Sequence, residues 1–172
     1  DRAAAWNDEA ATIRAFIERH CWDEARQAYV GAVGSRELDA SLLLLADLGF
    51  TKGTDARFVA TVAAIDRELR RGDFVFRYVE RDDFGHPENA FVVCTFWLVN
   101  ALAQTGRREE ARALFERVLA ARNRLGLYAE HLDPASGEHF TVTLKAVTLP
   151  GQDGSGVPVT RPCALALSGT YP

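Results

Sequence analysis

Four residues with useful chemistry recur near the ends of predicted helices in the later part of the chain. Arg77, Tyr78 and Glu88 lie in FVFRYVERDDFGHPENAFVVCTFWLVNAL, and Glu130 lies in LGLYAEHLDPASGE. Carboxylates and a phenol can exchange protons, and with a guanidinium they can hydrogen-bond a polar ligand. A planar guanidinium such as that of Arg77 can hold two hydroxyls in one plane, which a lysine ammonium cannot. The plain alternative is a turn arginine paired with Glu80 or Asp82. Glu88, followed by Asn89, can accept hydrogen bonds from hydroxyls, or can serve as a first-turn carboxylate stabilised by the helix dipole. Glu130 stands in a turn, where the plain reading is a solvated surface glutamate. Phe74, Phe76, Phe84 and Phe91 could offer stacking faces, although core positions suit most of them better.

These residues need helices to carry them, and five helical segments can be read from the pattern. The first runs from about Asn7 to His20, with Ile13, Phe16 and Ile17 at helical spacing. The second follows LDASLLLLADLGF, where Asp39 or Ser41 can cap and Gly49 can stop it. The third runs from about Asp55 to Arg70, with Val59, Val62, Ile65, Asp66 and Leu69 on one face. A fourth, from about Pro87 to Gln104, is apolar nearly all round, as a fully buried helix is. The fifth is REEARALFERVLAARNRL, acidic in its first turn and basic in its last, as the helix dipole favours. A weak repeat of about 50 residues pairs each apolar helix with an amphipathic one and a Gly-plus-aromatic turn. Stacked pairs of this kind build a solenoid or a closed toroid of inner and outer helices.

The 172-residue length suits one domain with one core. A net charge of -4, with basic residues interspersed among acidic ones, gives no reason to expect nucleic acid. No apolar run approaches the roughly 20 residues needed to span a bilayer, so no membrane partner is expected. Cys21, Cys94 and Cys163 have no metal-ligand spacing and cannot all pair within one chain, which favours a reducing, cytoplasmic setting. His20, His86, His131 and His139 form no metal pattern either, and His131 reads as a solvent-facing turn residue. GQDGSG lacks the Lys-Ser/Thr of a nucleotide loop. No Ser-His-Asp order stands out, and no cofactor is inferred. After Phe140 the composition turns to Gly, Pro, Thr and Val without helical periodicity. The expected division is therefore 1–140 for a partial helical-toroid domain and 141–172 for an atypical tail, with TVTLKAVTL as a candidate strand.

LDASLLLL, FRYVERDDFG, ENAFVVCTFWLVNAL, GRREEARALFERVL and GLYAEHLDPASGE, in that order, resemble glycoside hydrolase family 15, the glucoamylase, glucodextranase and trehalase group. The resemblance runs from about Trp6 to Glu138. It implies an all-α fold, here an incomplete part of an (α/α)6 toroid, and inverting hydrolysis of α-glucosidic bonds from a non-reducing end. It also implies that Glu130 is the catalytic base and that Arg77 and Tyr78 line the subsite for the terminal sugar. Glu88 and Asn89 fall where the family has a Glu before Ala-Phe. Inversion needs a second carboxyl group as general acid. The family keeps it in a Trp-Glu motif upstream, which has no counterpart here.

The sequence opens at Asp1 without a Met, so an upstream segment is expected to be missing and the isolated chain is expected to be inactive. After Phe140 the family's Gly-Asn-Phe-Pro-Gln-like segment is replaced, as if the reading frame had slipped. The leading expectation is a fragment of a glucoamylase-type exo-α-glucosidase, acting on an α-glucan or small glucoside. Its partner would be the missing N-terminal half of the same enzyme. Trehalase of the same family is the alternative. From another class, GRREEARALFERVLAARNRLG resembles one tetratricopeptide helix and would make the chain a helical-repeat interaction module.

Overall fold

The computed structural model describes residues 2–83 and 85–135. Phe84, Cys163, His139, the tail and its candidate strand lie outside the described residues. Helices dominate. In chain order, helix α1 spans Arg2–His20, and strands β1 (Trp22–Asp23) and β2 (Ala28–Tyr29) follow it. A 3-10 helix over Ala40–Leu44 leads to helix α2 (Ala56–Glu68), then to β3 (Arg70–Arg71) and β4 (Phe74–Val75). Strand β5 (Ala90–Phe91) precedes helices α3 (Val92–Gln104) and α4 (Arg108–Ala120), and β6 (His131–Leu132) closes the described part. The strands form three antiparallel two-residue ladders, β1–β2, β3–β4 and β5–β6.

Helix α2 starts where Asp55 accepts hydrogen bonds from the Arg57 and Phe58 amides. A cap of this kind stabilises a helix by about 1 kcal/mol. Its buried face is Phe58, Thr61, Val62, Ala64 and Ile65; Val59, expected on that face, lies at its margin and is 38% exposed. Buried Thr61 donates to the Arg57 carbonyl and accepts from the Tyr29 amide at 3.0 Å, which fixes β2 against α2. Thr95 on α3 does the same for β4, accepting from the Val75 amide at 2.9 Å.

Several sequence expectations change. The LDASLLLLADLGF segment forms a short 3-10 helix followed by turns, not a full α-helix. The tighter winding eclipses side chains three apart. Ala40 and Leu43 thus form one buried row, while Leu42 and Leu45 reach the smaller cluster of Cys21, Tyr29 and Val30. Gly49 does stop the segment, with a positive φ of 69°. Downstream, Gly53 packs so closely on α3 that an added Cβ would sit 2.7 Å from the Gln104 carbonyl oxygen.

The fourth predicted helix begins five residues late, because Ala90–Phe91 pairs as strand β5 and the Val92 amide is taken by the Glu130 carbonyl. Glu88 and Asn89 therefore do not open a helix. Helix α3 is also not buried all round: Val93 is 37% exposed, and Phe96, Trp97 and Val99 are half-buried. The fifth helix ends at Ala120 rather than continuing to Leu125, since the Asn123 carboxamide folds the chain into a loop.

The main core joins α2, α3, α4 and the 3-10 segment through Phe58, Ile65, Leu98, Leu102, Leu114 and others. Asp66 ties α2 to α4 from outside, pairing with both Arg70 and Arg107 at 3.0 Å, while Arg107 also grips Glu110. Helix α1 stands apart. None of its residues is buried, and it is held near its C-terminal end by Arg14 on the Gly49 and Phe50 carbonyls. Arg14 also lies over the Phe50 ring, and Ile17 packs on the smaller cluster.

Candidate functional site

A cavity of about 450 Å³ opens where the loop after β4 meets the β5–β6 ladder. That size lies within the roughly 300–1,000 Å³ of small-molecule clefts. All five residues singled out in the sequence line it: Arg77, Tyr78, Glu88, Asn89 and Glu130. Asp82, Gly85, His86, Pro87, Phe91 and His131 complete the wall.

One wall is the loop over residues 77–89. The Ala40 amide donates to the Arg77 carbonyl at 2.8 Å, anchoring the loop to the 3-10 helix. The Arg77 Nε points at both oxygens of Asp39, 3.3 Å from each. The arginine is therefore paired with a residue 38 positions upstream, not with Glu80 or Asp82. Glu80 instead accepts from the Val79 amide at 3.2 Å, and Asp82 accepts from the Tyr78 hydroxyl at 2.6 Å. The Asp82 bond holds the proton on Tyr78, and its phenol is raised above the usual range, first by that bond and then by burial. A tight turn closes between Asp82 and Gly85, with mutual backbone bonds of 3.0 and 3.2 Å.

The other wall comes from the far end of the chain. The β5–β6 pairing sets Phe91 opposite His131, and their rings stack at 5.2 Å with an interplanar angle of 13°. The Glu130 carbonyl is held by the Val92 amide at 2.9 Å, leaving the carboxylate exposed to the cavity. Upstream, Asn123 accepts from the Leu125 and Leu127 amides and so turns the chain toward Tyr128, which packs edge-on against Phe96. Beneath the site, burial pushes the Cys94 thiol up to about 12.

The arrangement offers an arginine fork, three carboxylates (Asp82, Glu88, Glu130), an amide and an aromatic face in one open cleft. Among the described residues, no group of three or more His, Cys, Asp or Glu could hold a metal ion.

The Glycosyl hydrolases family 15 profile matches residues 1–151. The chain belongs to this family. The match runs past Phe140, where the sequence reading ended the helical domain.

Among curated relatives of this family 15 chain, the trehalase of Mycobacterium tuberculosis is 40% identical over 141 residues, covering 80% of this chain and 21% of the relative. The trehalase of Thermoplasma volcanium is 34% identical over 134 residues, covering 77% of this chain and 22% of its own length. The chain thus spans about a fifth of the length of these relatives. A wild-type glycosidase structure superposes with a TM-score of 0.68 at 21% identity, over 78% of this chain and 37% of that one. A glycosidase variant solved in complex with glucose matches equally, at a TM-score of 0.68. The helices described above are accordingly part of an (α/α)6 toroid, within a family of glycosyl hydrolases.

Four features of the cavity do not follow from the sequence pattern. Asp39 entered only as a helix cap, because nothing local links it to Arg77. The Tyr78–Asp82 bond spans four residues of a loop, where no helical periodicity marks it. Phe91 was placed nearer the core, yet it is half-buried and faces the cavity. His131 is exposed, as expected of a turn residue, but it also lines the cavity. Phe74 and Phe76 belong to the interior side and do not line the cavity. No helix among the described residues is long and apolar enough to cross a membrane.

Proposed function

We propose that the chain supplies one wall of the sugar cleft of a trehalase, an enzyme that splits an α,α-linked glucose disaccharide with inversion. The observation that carries this reading is the gathering of Arg77, Tyr78, Glu88, Asn89 and Glu130 into one cavity, from segments more than 40 residues apart. Trehalase is preferred to glucoamylase because the curated relatives named above are trehalases. Arg77 forks two hydroxyls of the bound glucose unit, and Glu88 and Asn89 hold further hydroxyls. Glu130 takes the proton of the attacking water. The general acid must stand across the bond, roughly 6.5–9.5 Å from the base in inverting enzymes, and comes from outside the described site. The remainder of the glycosidase domain provides it and covers the exposed apolar face of α1, formed by Trp6, Ile13 and Phe16. The single tetratricopeptide-like helix, α4, buries Ala111, Leu114 and Val118 within its own domain and so supports no interaction module.

Calorimetric titration of the purified chain with trehalose and with maltose tests the substrate. Tighter binding of trehalose is expected; tighter binding of maltose would restore the glucoamylase reading, and no binding of either would sink both. The chain alone releases no glucose. In the assembled enzyme, Glu130→Gln lowers turnover by about 10²–10⁴-fold, the usual worth of an acid–base group, with sugar affinity retained.

A further inference from the structure

We infer that Asp39, which does not line the cavity, is the positioning residue that aims Arg77 into it. The inference rests on reading the cavity as a sugar site. Two independent contacts tie the arginine to the LDAS segment: the Asp39 carboxylate meets Nε at 3.3 Å through both oxygens, and the Ala40 amide holds the Arg77 carbonyl at 2.8 Å. The carboxylate is itself fixed, because Oδ1 accepts from the Ser41 amide at 2.7 Å as the cap of the 3-10 helix. That helix is rooted in the core by Ala40 and Leu43, which are 0% and 1% exposed. Backbone and side chain of Arg77 are thus referred to one rigid element.

The chemistry follows from the shape of the guanidinium. Its five N–H groups lie in one plane, so fixing Nε fixes the direction of the fork. Asp39 engages Nε, and Arg77 lines the cavity, so Nη1 and Nη2 are left for a ligand's hydroxyls. Without Asp39 the side chain, 46% exposed, would rotate freely and lose that freedom on binding. The paired charge also offsets part of the cost of desolvating the arginine under a sugar. A cap-only role for Asp39 predicts none of this, since a neutral asparagine caps a helix equally well.

The test compares wild type with Asp39→Asn, which keeps the capping oxygen and removes the charge. Two readouts are taken: hydrogen exchange at the Arg77 Nε–H by nitrogen-15 NMR, and trehalose affinity by titration. Slow exchange is expected in wild type. In Asp39→Asn, exchange should be fast and the trehalose Kd should rise about tenfold, near the worth of one charge-assisted hydrogen bond. Arg77→Lys should weaken binding comparably, and adding it to Asp39→Asn should cost little more, because the pair acts as a unit. Unchanged affinity, or slow exchange retained in Asp39→Asn, would overturn the inference. Should wild type bind no sugar, the cavity reading fails, and the Nε exchange alone decides whether Asp39 orders Arg77. If Asp39→Asn does not fold, fast Nε exchange in wild type would overturn the inference, and slow exchange would support it.

Discussion

Helices α1 and α3 both carry large apolar side chains at helical spacing, yet they sit in opposite surroundings. Helix α1 has 19 residues and none is buried; Trp6, Ile13 and Phe16 are 69%, 51% and 51% exposed. Helix α3 has 13 residues, and Val92, Cys94, Thr95, Leu98, Ala101 and Leu102 are buried. Coverage makes the difference. Helix α3 is enclosed by α4, by the 3-10 segment and by β4, whereas α1 touches the rest only toward its C-terminal end. Apolar periodicity tells which face of a helix wants a partner, and the number of neighbouring elements decides whether it has one. The same contrast separates the site from the scaffold. The cavity opens beside the N-terminus of the well-covered α3, so its two walls are held by a rigid interior.

The sharpest way to break the contrast is to cut the same kind of contact on both helices. Leu98→Ala removes a side chain with no solvent exposure from the centre of α3. Such a cavity costs about 2–5 kcal/mol, depending on how far the surroundings collapse. Urea unfolding should show the midpoint falling with little change in slope. A loss below about 1 kcal/mol would mean that α3 is not the core element its burial indicates.

A second test uses the acidity of a buried thiol on the same helix. Cys94 is fully buried, and burial raises its thiol from the ordinary 9.0 to about 12. Above pH 9 the unfolded chain gives up this proton while the folded chain keeps it, so the unfolded state binds fewer protons and stability falls as pH rises. The loss runs at about 1.4 kcal/mol per pH unit through the window from 9 to about 12, and it levels off above. Comparison with Cys94→Ala isolates the effect, because the variant lacks the slope while sharing every other titration. Parallel pH profiles for the two proteins would show that the thiol is not desolvated as the fold implies.

Much of this was legible before the fold was known, and the rest failed for definite reasons. The start of α2 near Asp55 and the pairing of α3 with α4 follow from patterns within short windows, whereas the cavity-facing set of Arg77, Tyr78, Glu88, Asn89 and Glu130 follows from the ordered resemblance to the family. Three features do not. The 3-10 winding of Ala40–Leu44 depends on two clusters competing for one leucine run, which hydropathy alone reads as an α-helix. The late start of α3 depends on a strand contributed by residues His131–Leu132. The Asp39–Arg77 pair joins segments that only the folded chain brings together. Long-range partners set each of these, and local propensity is weak against them.

The smallest effect expected on stability is also the one that most sharpens the comparison. Ile13→Ser on α1 changes a side chain that is 51% exposed in a helix with no buried residue. In this chain it should alter stability by no more than about 0.5 kcal/mol, the usual range for surface substitutions. Under the proposed assembly with the remainder of the domain, the same face becomes an interior contact. The substitution should then weaken association, since burying a hydroxyl against apolar groups costs about 1–3 kcal/mol on top of the lost apolar contact. Measured on the chain alone and on the assembled enzyme, the two effects should differ by a factor of several. Equal small effects in both would mean that α1 stays at the surface and that its apolar stripe has another use. A large effect in the chain alone would mean that α1 folds back onto the core in solution, where its cover would come from α2 and the Phe50 loop rather than from the rest of the toroid.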